Sequence, residues 1–175
     1  MSVKTLGSSA GGGVAPLSYA FYIRGIFTLG GIDNPGVNVV RLTPIQIPYD
    51  MTVDRIVYCT TVAGNVRVGI YADNGNQPDG GALLVESVSL PATANKSEYT
   101  IANTALTKGL YWLALNNDAA GLNFNTPFSR IAPGGTLFHR SYNLVYAAFT
   151  NPCPATVTLG IGSSAIGWIR VFSIP

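Results

Sequence analysis

The sequence VRVGIYADNGNQPDGGALLVES, at residues 66–87, decides the expected fold. Its first strand pattern places Val66, Val68 and Ile70 on one face, the period of two that is typical of a half-buried strand. The DNGNQPDGG letters supply turn residues, after which the chain returns as a second strand pattern. The aromatic pattern GLYWLAL follows at residues 109–115. Together these segments predict a hairpin covered by a third strand, which is the core of a β-sandwich.

Further strand patterns flank this stretch on both sides. No segment combines helix-capping residues with a long period of 3.6, so no helix is predicted. Many short strands separated by Gly and Pro predict an all-β fold, an antiparallel β-sandwich that is jelly-roll-like. A length of 175 residues suits one sandwich domain at residues 18–175, preceded by a flexible N-terminal arm at residues 1–17. The other predicted strands lie at residues 37–47, 51–59, 82–90, 97–103, 106–116, 135–149, 155–162 and 166–175.

The composition is unusually poor in charge. Charged residues make up 10% of the chain, against about 25% in an average soluble domain. The polar groups of the surface must then come from Asn, Thr, Ser and Gly, which protect poorly against association. We therefore expect a subunit of an assembly, with a low-charge monomer as the alternative. The net charge of +2, without a clustered basic face, argues against nucleic acid as a partner.

The N-terminal region suggests an assembly contact. Residues 1–17 are rich in Gly, Ser and Ala, so they form either a disordered tail or an arm that becomes ordered against a neighbouring subunit. The run at residues 18–29 is β-prone, and it is either a first strand or an interface band. No secretory signal or membrane-spanning apolar run is visible, so we expect synthesis in a cytoplasm and no membrane partner. The interface candidates are Tyr19, Phe21, Tyr22, Ile26 and Phe27.

The sequence offers no recognisable catalytic constellation. His139 is the single histidine, and neither a GxSxG elbow nor a triad arrangement accompanies it. The eight acids are not clustered with aromatic residues as a glycan-cleaving site would require. We therefore expect a protein that is not an enzyme and that uses no cofactor.

The turn at residues 73–81 has a superficial likeness to a calcium loop. Asp73, Asn74, Asn76 and Asp79 all carry oxygen donors and are weak metal-site candidates. A calcium loop of the EF-hand kind would also need a Glu at its twelfth position and flanking helices, and neither is present. The favoured interpretation is a hairpin turn that uses Asn, Gly and Asp for their tolerance of positive φ.

Two other features leave alternatives open. Cys59 is expected to pack as a small apolar side chain and Cys153 to lie in a loop, and the sequence does not decide whether the two form a disulfide. Several aromatic residues are candidates either for stacking on sugars or for core packing, with core packing favoured for the two tryptophans. These aromatic residues are Tyr111, Trp112, Tyr142, Tyr146 and Trp168.

Residues 40–116 resemble a β-sandwich module of bacteriophage virion proteins, found in tail-fibre, minor tail and capsid-associated structural proteins. A "DRI" strand leads to an "R-x-G-I-Y-x-D" strand, a Gly/Pro turn, a "G-x-L" return strand and later a "G-x-Y-W-L-A" strand. This chain departs from the pattern by inserting QPDGG at the turn. The residues that carry the resemblance are Asp54, Arg55, Ile56, Arg67, Gly69, Ile70, Tyr71, Asp73, Gly109, Tyr111, Trp112, Leu113 and Ala114.

The resemblance implies a non-enzymatic virion structural protein that is made in the host cytoplasm and used in the virion. The small chain without a fibre shaft favours a capsid decoration or accessory protein over a complete fibre. We expect it to form a homo-oligomer, a trimer in the first instance, and to bind the major capsid protein or tail proteins. The alternative is a receptor-binding fibre tip or carbohydrate-binding module that recognises a host surface polysaccharide. A cellular carbohydrate-binding module would predict a signal peptide or a catalytic partner domain, and the sequence shows neither.

Overall fold

The structure is a computed structural model. It describes the backbone at residues 21–23, 28–33, 36–60, 63–93, 95–119, 124–128, 138–161 and 167–173, and the side chains at residues 36–58, 63–93, 98–119 and 140–158. The strands are β1 (Phe21–Ile23), β2 (Thr28–Asp33), β3 (Val39–Ile47), β4 (Met51–Thr60), β5 (Gly64–Ala72), β6 (Leu83–Glu86), β7 (Leu90–Ala92), β8 (Asn95–Leu106), β9 (Gly109–Asn117), β10 (Phe124–Phe128), β11 (Phe138–Asn143), β12 (Thr158–Ile161) and β13 (Gly167–Ser173).

These strands form two antiparallel sheets. The six-stranded sheet has the order β1-β13-β4-β10-β2, and β8 also pairs with β4. The seven-stranded sheet has the order β12-β11-β3-β9-β5-β6, and β7 also pairs with β5. Within the residues just given there is no helix, and none that could cross a membrane. The predicted all-β, antiparallel class is confirmed, whereas the jelly-roll topology stays a prediction.

The stretch at residues 66–87 forms the predicted hairpin. β5 pairs with β6, with Gly69 opposite Glu86 and Ile70 opposite Val85. On its other side β5 pairs with β9 from Val66 to Ala72. The three segments that the sequence singled out are therefore adjacent strands of the seven-stranded sheet.

The main core lies between the two sheets. Val66, Val68 and Ile70 are fully buried in it, as their alternation predicted. The six-stranded sheet contributes residues of β4 and β8, including Tyr58 and Tyr99, whose ring centroids are 6.5 Å apart. Because side chains of both sheets share one apolar cluster, the sheets pack face to face. The other buried members are Ile45, Ile47, Met51, Val53, Ile56, Val85, Ala92, Ile101, Leu106, Leu113 and Leu115.

A second apolar cluster covers the opposite, outer face of the seven-stranded sheet. It joins strand residues to residues 144–157, which we call the cover segment. A strand was predicted over residues 135–149, but β11 ends at Asn143. The strand prediction was wrong beyond that residue because the apolar side chains of the cover segment pack over the outer face rather than continuing the ladder. The buried members are Val40, Leu42, Tyr71, Trp112, Ala114, Tyr142, Phe149 and Cys153.

Gly69 permits the close approach of the cover segment. It lies on β5, and a Cβ at this position would lie 2.9 Å from both Phe149 Cε2 and the Val85 carbonyl oxygen. Phe149 is buried there, with its ring centroid 6.3 Å from that of Tyr71. A side chain larger than hydrogen would displace the ring and open the outer face.

The edge strand of the seven-stranded sheet is interrupted by two bulges. Leu84 is an extra residue between the partners of Ile70 and Tyr71, and residues 87–89 separate β6 from β7. Ser87 holds the second bulge to β5. Its N–H donates to the Val68 carbonyl at 2.8 Å, and its Oγ accepts the Val68 N–H at 3.0 Å. Bulges at an edge disfavour pairing with a further strand.

The predicted N-terminal contacts fall mostly outside the described residues. Residues 1–17, Tyr19, Ile26 and Phe27 are among those that the structure does not describe. The backbone of Phe21 and Tyr22 lies in β1, which pairs with β13. Their assignment to an assembly interface therefore stays a prediction.

Candidate functional site: the rim of the outer face

The 73–81 loop uses its polar side chains to hold itself together. Asp73 Oδ1 accepts the Trp112 Nε1–H at 2.8 Å, and Asp73 Oδ2 accepts the Asn76 N–H at 2.9 Å. Asn74 Nδ2 donates to the Asp79 carbonyl at 2.8 Å. Asn76 has a φ of 68°, as the hairpin interpretation expected for a turn asparagine. Both oxygens of Asp73 are therefore engaged within the protein.

The four metal-site candidates stay a prediction. Asp79 Oδ1 is buried and makes no hydrogen bond, but the other oxygens described above have partners. Within the described part of the chain, no group of three or more His, Cys, Asp or Glu side chains is arranged to hold a metal ion.

A polar cluster lies at the rim of the outer face, where the cover segment meets the edge strand. Arg67 Nη1 donates to Glu86 Oε1 at 3.0 Å and to the Ser87 carbonyl at 3.3 Å. Glu86 Oε2 accepts the Phe149 N–H at 2.9 Å. The Arg67 guanidinium also lies 5.8 Å from the centroid of the Tyr146 ring, within the range of a cation–π contact. We call Arg67, Glu86, Ser89 and Tyr146 the rim cluster.

Tyr146 joins three segments at this point. Its hydroxyl lies 2.7 Å from Ser89 Oγ, and its N–H donates to Asn38 Oδ1 at 3.2 Å. The Asn38 carbonyl accepts the Leu144 N–H at 2.9 Å. The turn before β3, the bulge after β6 and the start of the cover segment therefore meet around one aromatic ring.

Exposed apolar side chains surround this junction. Val88 and Val145 are 71% and 73% exposed, and Val37 is 37% exposed. They adjoin Ser89, Tyr146 and Asn38, which the hydrogen bonds above bring together. We call Val37, Val88 and Val145 the apolar rim. Exposed apolar side chains that flank one junction are candidates for a contact surface.

The acidic residues work mainly inside the domain. Seven of the eight have described side chains, and six of these seven accept hydrogen bonds or pair with arginine. Asp118, for example, accepts both the N–H and the Nδ2–H of Asn65 at 2.9 and 2.7 Å. Three of the six pair with arginine, and the other three accept hydrogen bonds from neutral N–H groups. The six are Asp50, Asp54, Asp73, Glu86, Glu98 and Asp118.

A buried hydroxyl network lies beneath the cover segment. Tyr71 Oη donates to the Thr150 carbonyl at 2.7 Å and lies 3.0 Å from Tyr142 Oη. Since the single hydroxyl proton of Tyr71 is used at Thr150, Tyr142 donates to Tyr71. Burial is the main cause that raises the pKa of Tyr71 and Tyr142, and it raises the pKa of the Cys153 thiol from 9.0 to about 12.

Stability is expected to fall in alkali because of these groups. Below pH 9 the thiol and the phenols are protonated in both states, so their stabilising contribution is fully present. Burial also raises the pKa of Tyr58, which lies in the main core. Above pH 9.0 for Cys153, and above pH 10.0 for Tyr58 and Tyr71, the unfolded chain loses protons that the folded chain keeps. The free energy of unfolding therefore decreases as pH rises through this range. Urea unfolding from pH 8 upward measures the slope, and a slope unchanged in Tyr71→Phe would contradict the assignment to Tyr71.

The sugar-stacking candidates separate by burial. Trp112 and Tyr142 are 5% and 7% exposed and lie in the outer-face cluster, so core packing is confirmed for Trp112. Tyr111 and Tyr146 are partly exposed. The side chain of Trp168 lies outside the described residues.

Neither Cys153 nor His139 is part of a functional site among the described side chains. Cys153 is a free, buried cysteine, so the disulfide that the sequence left open is not formed. For His139 only the backbone is described, in β11 opposite Gly160.

Sequence reasoning missed the rim cluster. Arg67 was assigned to the fold pattern, and neither Glu86 nor Ser89 was singled out for a contact with Tyr146. The available signal was an Arg and a Glu in neighbouring strands of one predicted hairpin, whose side chains pair across the ladder.

No family model matches the chain, and no curated protein or solved structure matches it.

Proposed function

We propose that this chain is a non-enzymatic structural protein of a bacteriophage virion, a capsid decoration or accessory protein that self-associates and attaches to the particle. The observation that carries the proposal is the apolar rim, where Val88 and Val145 expose more than two thirds of their surface. The resemblance of residues 40–116 to virion β-sandwich modules supports the virion context. The host makes the protein in its cytoplasm, and its partners are further copies, with a trimer expected, and the major capsid or tail proteins.

Electrostatics favours a second copy as the occupant of the apolar rim. Charged residues make up 10% of the chain, and Arg67, the cation of the rim cluster, is paired with Glu86. Two such surfaces can approach without the like-charge repulsion that keeps ordinary monomers apart. Burial of the exposed valines then stabilises the contact at about 25 cal/mol per Å² of apolar surface.

The double substitution Val88→Asp with Val145→Asp is expected to abolish self-association. It places two carboxylates in the contact, where desolvation opposes burial. Light scattering coupled to size-exclusion chromatography measures the molar mass, and circular dichroism checks the fold. The matched control is Asn103→Asp, which adds a carboxylate at an exposed position of β8 in the other sheet. An unchanged molar mass in the double variant would refute the apolar rim as the contact.

Deletion of residues 1–17 tests the attachment half of the proposal. The truncated protein is expected to keep the thermal unfolding midpoint of the full chain but to be lost from particles, because the arm makes the contact with the capsid or tail. Immunoblotting of purified particles, with whole-cell lysate as the expression control, measures incorporation. Equal incorporation of the two proteins would sink the attachment role of the arm.

The second candidate function is host attachment through a surface polysaccharide. It is favoured by Tyr146, a partly exposed ring in contact with exposed Ser89, and by exposed Asp118, which interacts electrostatically with Tyr146 and is hydrogen-bonded to Asn65. An aromatic face with neighbouring hydroxyl, amide and carboxylate groups has the chemistry that sugars require. Saturable binding on a glycan array together with few copies per virion would favour this function, whereas many copies and no glycan binding would favour decoration.

A further inference from the structure

We propose that the Asn74–Gly75 pair is a self-modification site, at which Asn74 converts spontaneously to aspartate and isoaspartate through a succinimide ring. In the sequence, Asn74 is the only asparagine followed directly by glycine. This matters because the ring forms when the following backbone nitrogen reaches the side-chain carbon, and glycine offers no Cβ to obstruct the approach. The inference stands independently of the proposed function.

The geometry of Gly75 leaves its nitrogen available. Gly75 is exposed, has a φ of 70°, and a Cβ built on it would find no atom within 4 Å. Among the hydrogen bonds of the described residues, none uses the Gly75 N–H, although the neighbouring Asn74 N–H donates to the Gln77 carbonyl and the Asn76 N–H to Asp73. The Gly75 nitrogen therefore lies in a tight loop but takes no part in the hydrogen bonds that hold the loop.

The reaction needs only water as a co-reactant. The deprotonated Gly75 nitrogen attacks Asn74 Cγ, a C–N bond forms, the Cγ–Nδ2 bond breaks, and ammonia leaves with the proton. Water then opens the ring at either carbonyl. Attack at the side-chain Cγ carbonyl gives aspartate. Attack at the main-chain carbonyl gives isoaspartate, in which the main chain runs through the side-chain carbon. No oxidant, reductant or cofactor takes part.

The same loop contains a second pair of this kind that the fold protects. Asp79 precedes Gly80, but the Gly80 N–H donates to the Cys153 carbonyl at 2.9 Å, within the contact to the cover segment. The Asp79 Oδ1 is buried, which hinders rearrangement of its carboxyl group. The structure therefore adds to the lower intrinsic reactivity of an ionised aspartate, because it leaves the Gly75 nitrogen available and engages the Gly80 nitrogen.

Conversion changes the loop in two ways. A carboxylate cannot donate the 2.8 Å hydrogen bond that Asn74 Nδ2 makes to the Asp79 carbonyl. It also adds a negative charge beside Asp73 and Asp79, and lowers the formal net charge of +2 by one. In a chain with so few charges, the modified form is expected to elute as a separate peak in ion-exchange chromatography.

The test is a time course of the purified full chain at mildly alkaline pH, read by peptide mapping and mass spectrometry with detection of isoaspartate. Conversion at Asn74 is expected on the order of tenfold faster than at exposed Asn103, whose successor Thr104 carries a branched Cβ. It is expected to be slower than in the urea-unfolded chain, since the Asn74–Asp79 bond restrains the side chain. Isomerisation of Asp79 is expected only after unfolding.

Asn74→Gln serves as the matched variant, because attack by the Gly75 nitrogen on its longer side chain would have to close a six-membered ring, which is slower, while its amide can still donate. The separate ion-exchange peak is expected to disappear in this variant. Equal rates at Asn74 and Asn103 in the folded chain, or conversion of Asn74 only after unfolding, would overturn the proposal. The proposal would be established if, in the folded chain, Asn74 converted faster than Asn103 and gave isoaspartate while Asp79 did not isomerise.

Discussion

Gly81→Ala is expected to lower the free energy of unfolding by about 3 kcal/mol or more, the upper end of overpacking effects. A Cβ at this buried position would overlap the carbonyl oxygen of Ala72 and lie 2.9 Å from that of Pro78. Both neighbours are backbone atoms, so neither can rotate away. The Gly81 carbonyl also accepts the Cys153 N–H at 2.9 Å, and displacement of residue 81 would break that contact with the cover segment.

Urea unfolding of Gly81→Ala beside Gly109→Ala provides the comparison. At Gly109 the nearest atom to a new Cβ is Tyr111 Cε2 at 3.7 Å, which is ordinary contact. The control is therefore expected to change stability by less than about 0.5 kcal/mol. Similar unfolding midpoints for the two variants would show that the loop relaxes around residue 81 and would contradict the predicted overlap.

Trp112→Ala is expected to cost about 3 to 5 kcal/mol, the range for removing a large aromatic side chain from a core. Trp112 is 5% exposed within the outer-face cluster. Its Nε1–H is also the hydrogen-bond donor to Asp73 Oδ1 at 2.8 Å. The variant should therefore both leave a cavity and release one end of the 73–81 loop.

Trp112→Phe separates these two effects. It keeps an aromatic ring in the cluster but loses the bond to Asp73, for which a loss of about 1 to 3 kcal/mol is expected. Urea unfolding gives the two free energies, and limited proteolysis reports on the loop, which should be cleaved sooner in both variants. Equal stability losses for Ala and Phe would mean that the hydrogen bond, and not packing, accounts for the role of Trp112.

The strand content was predictable because period-two alternation is a local property. Val66, Val68 and Ile70 point into the core as their spacing indicated, and the Asn, Gly and Asp residues at 73–81 do form the turn. The cover segment was not predictable in the same way. Its apolar residues have the composition of a strand, and only their fit over Gly69 and Trp112 makes them a cover for the outer face.

The candidate site depended still more on the tertiary structure. Arg67 and Glu86 are near each other along the chain, but Tyr146 comes from a segment far beyond both. Nothing in the local sequence around Tyr146 indicates that its ring lies against Arg67 or that its hydroxyl lies against Ser89. The apolar rim follows from that junction, since the exposed Val88 and Val145 are the chain neighbours of Ser89 and Tyr146, which are in contact there.

By itself, the sequence determined the all-β class, the hairpin at residues 66–87 and the scarcity of charge, because alternation, turn chemistry and composition act over short distances. Only the tertiary structure decided which groups are left available. Asp73 is engaged by Trp112, and Gly80 is engaged by Cys153 while Gly75 is not. These differences arise from hydrogen bonds between residues distant in the chain, which form only when the seven-stranded sheet and the cover segment are in place.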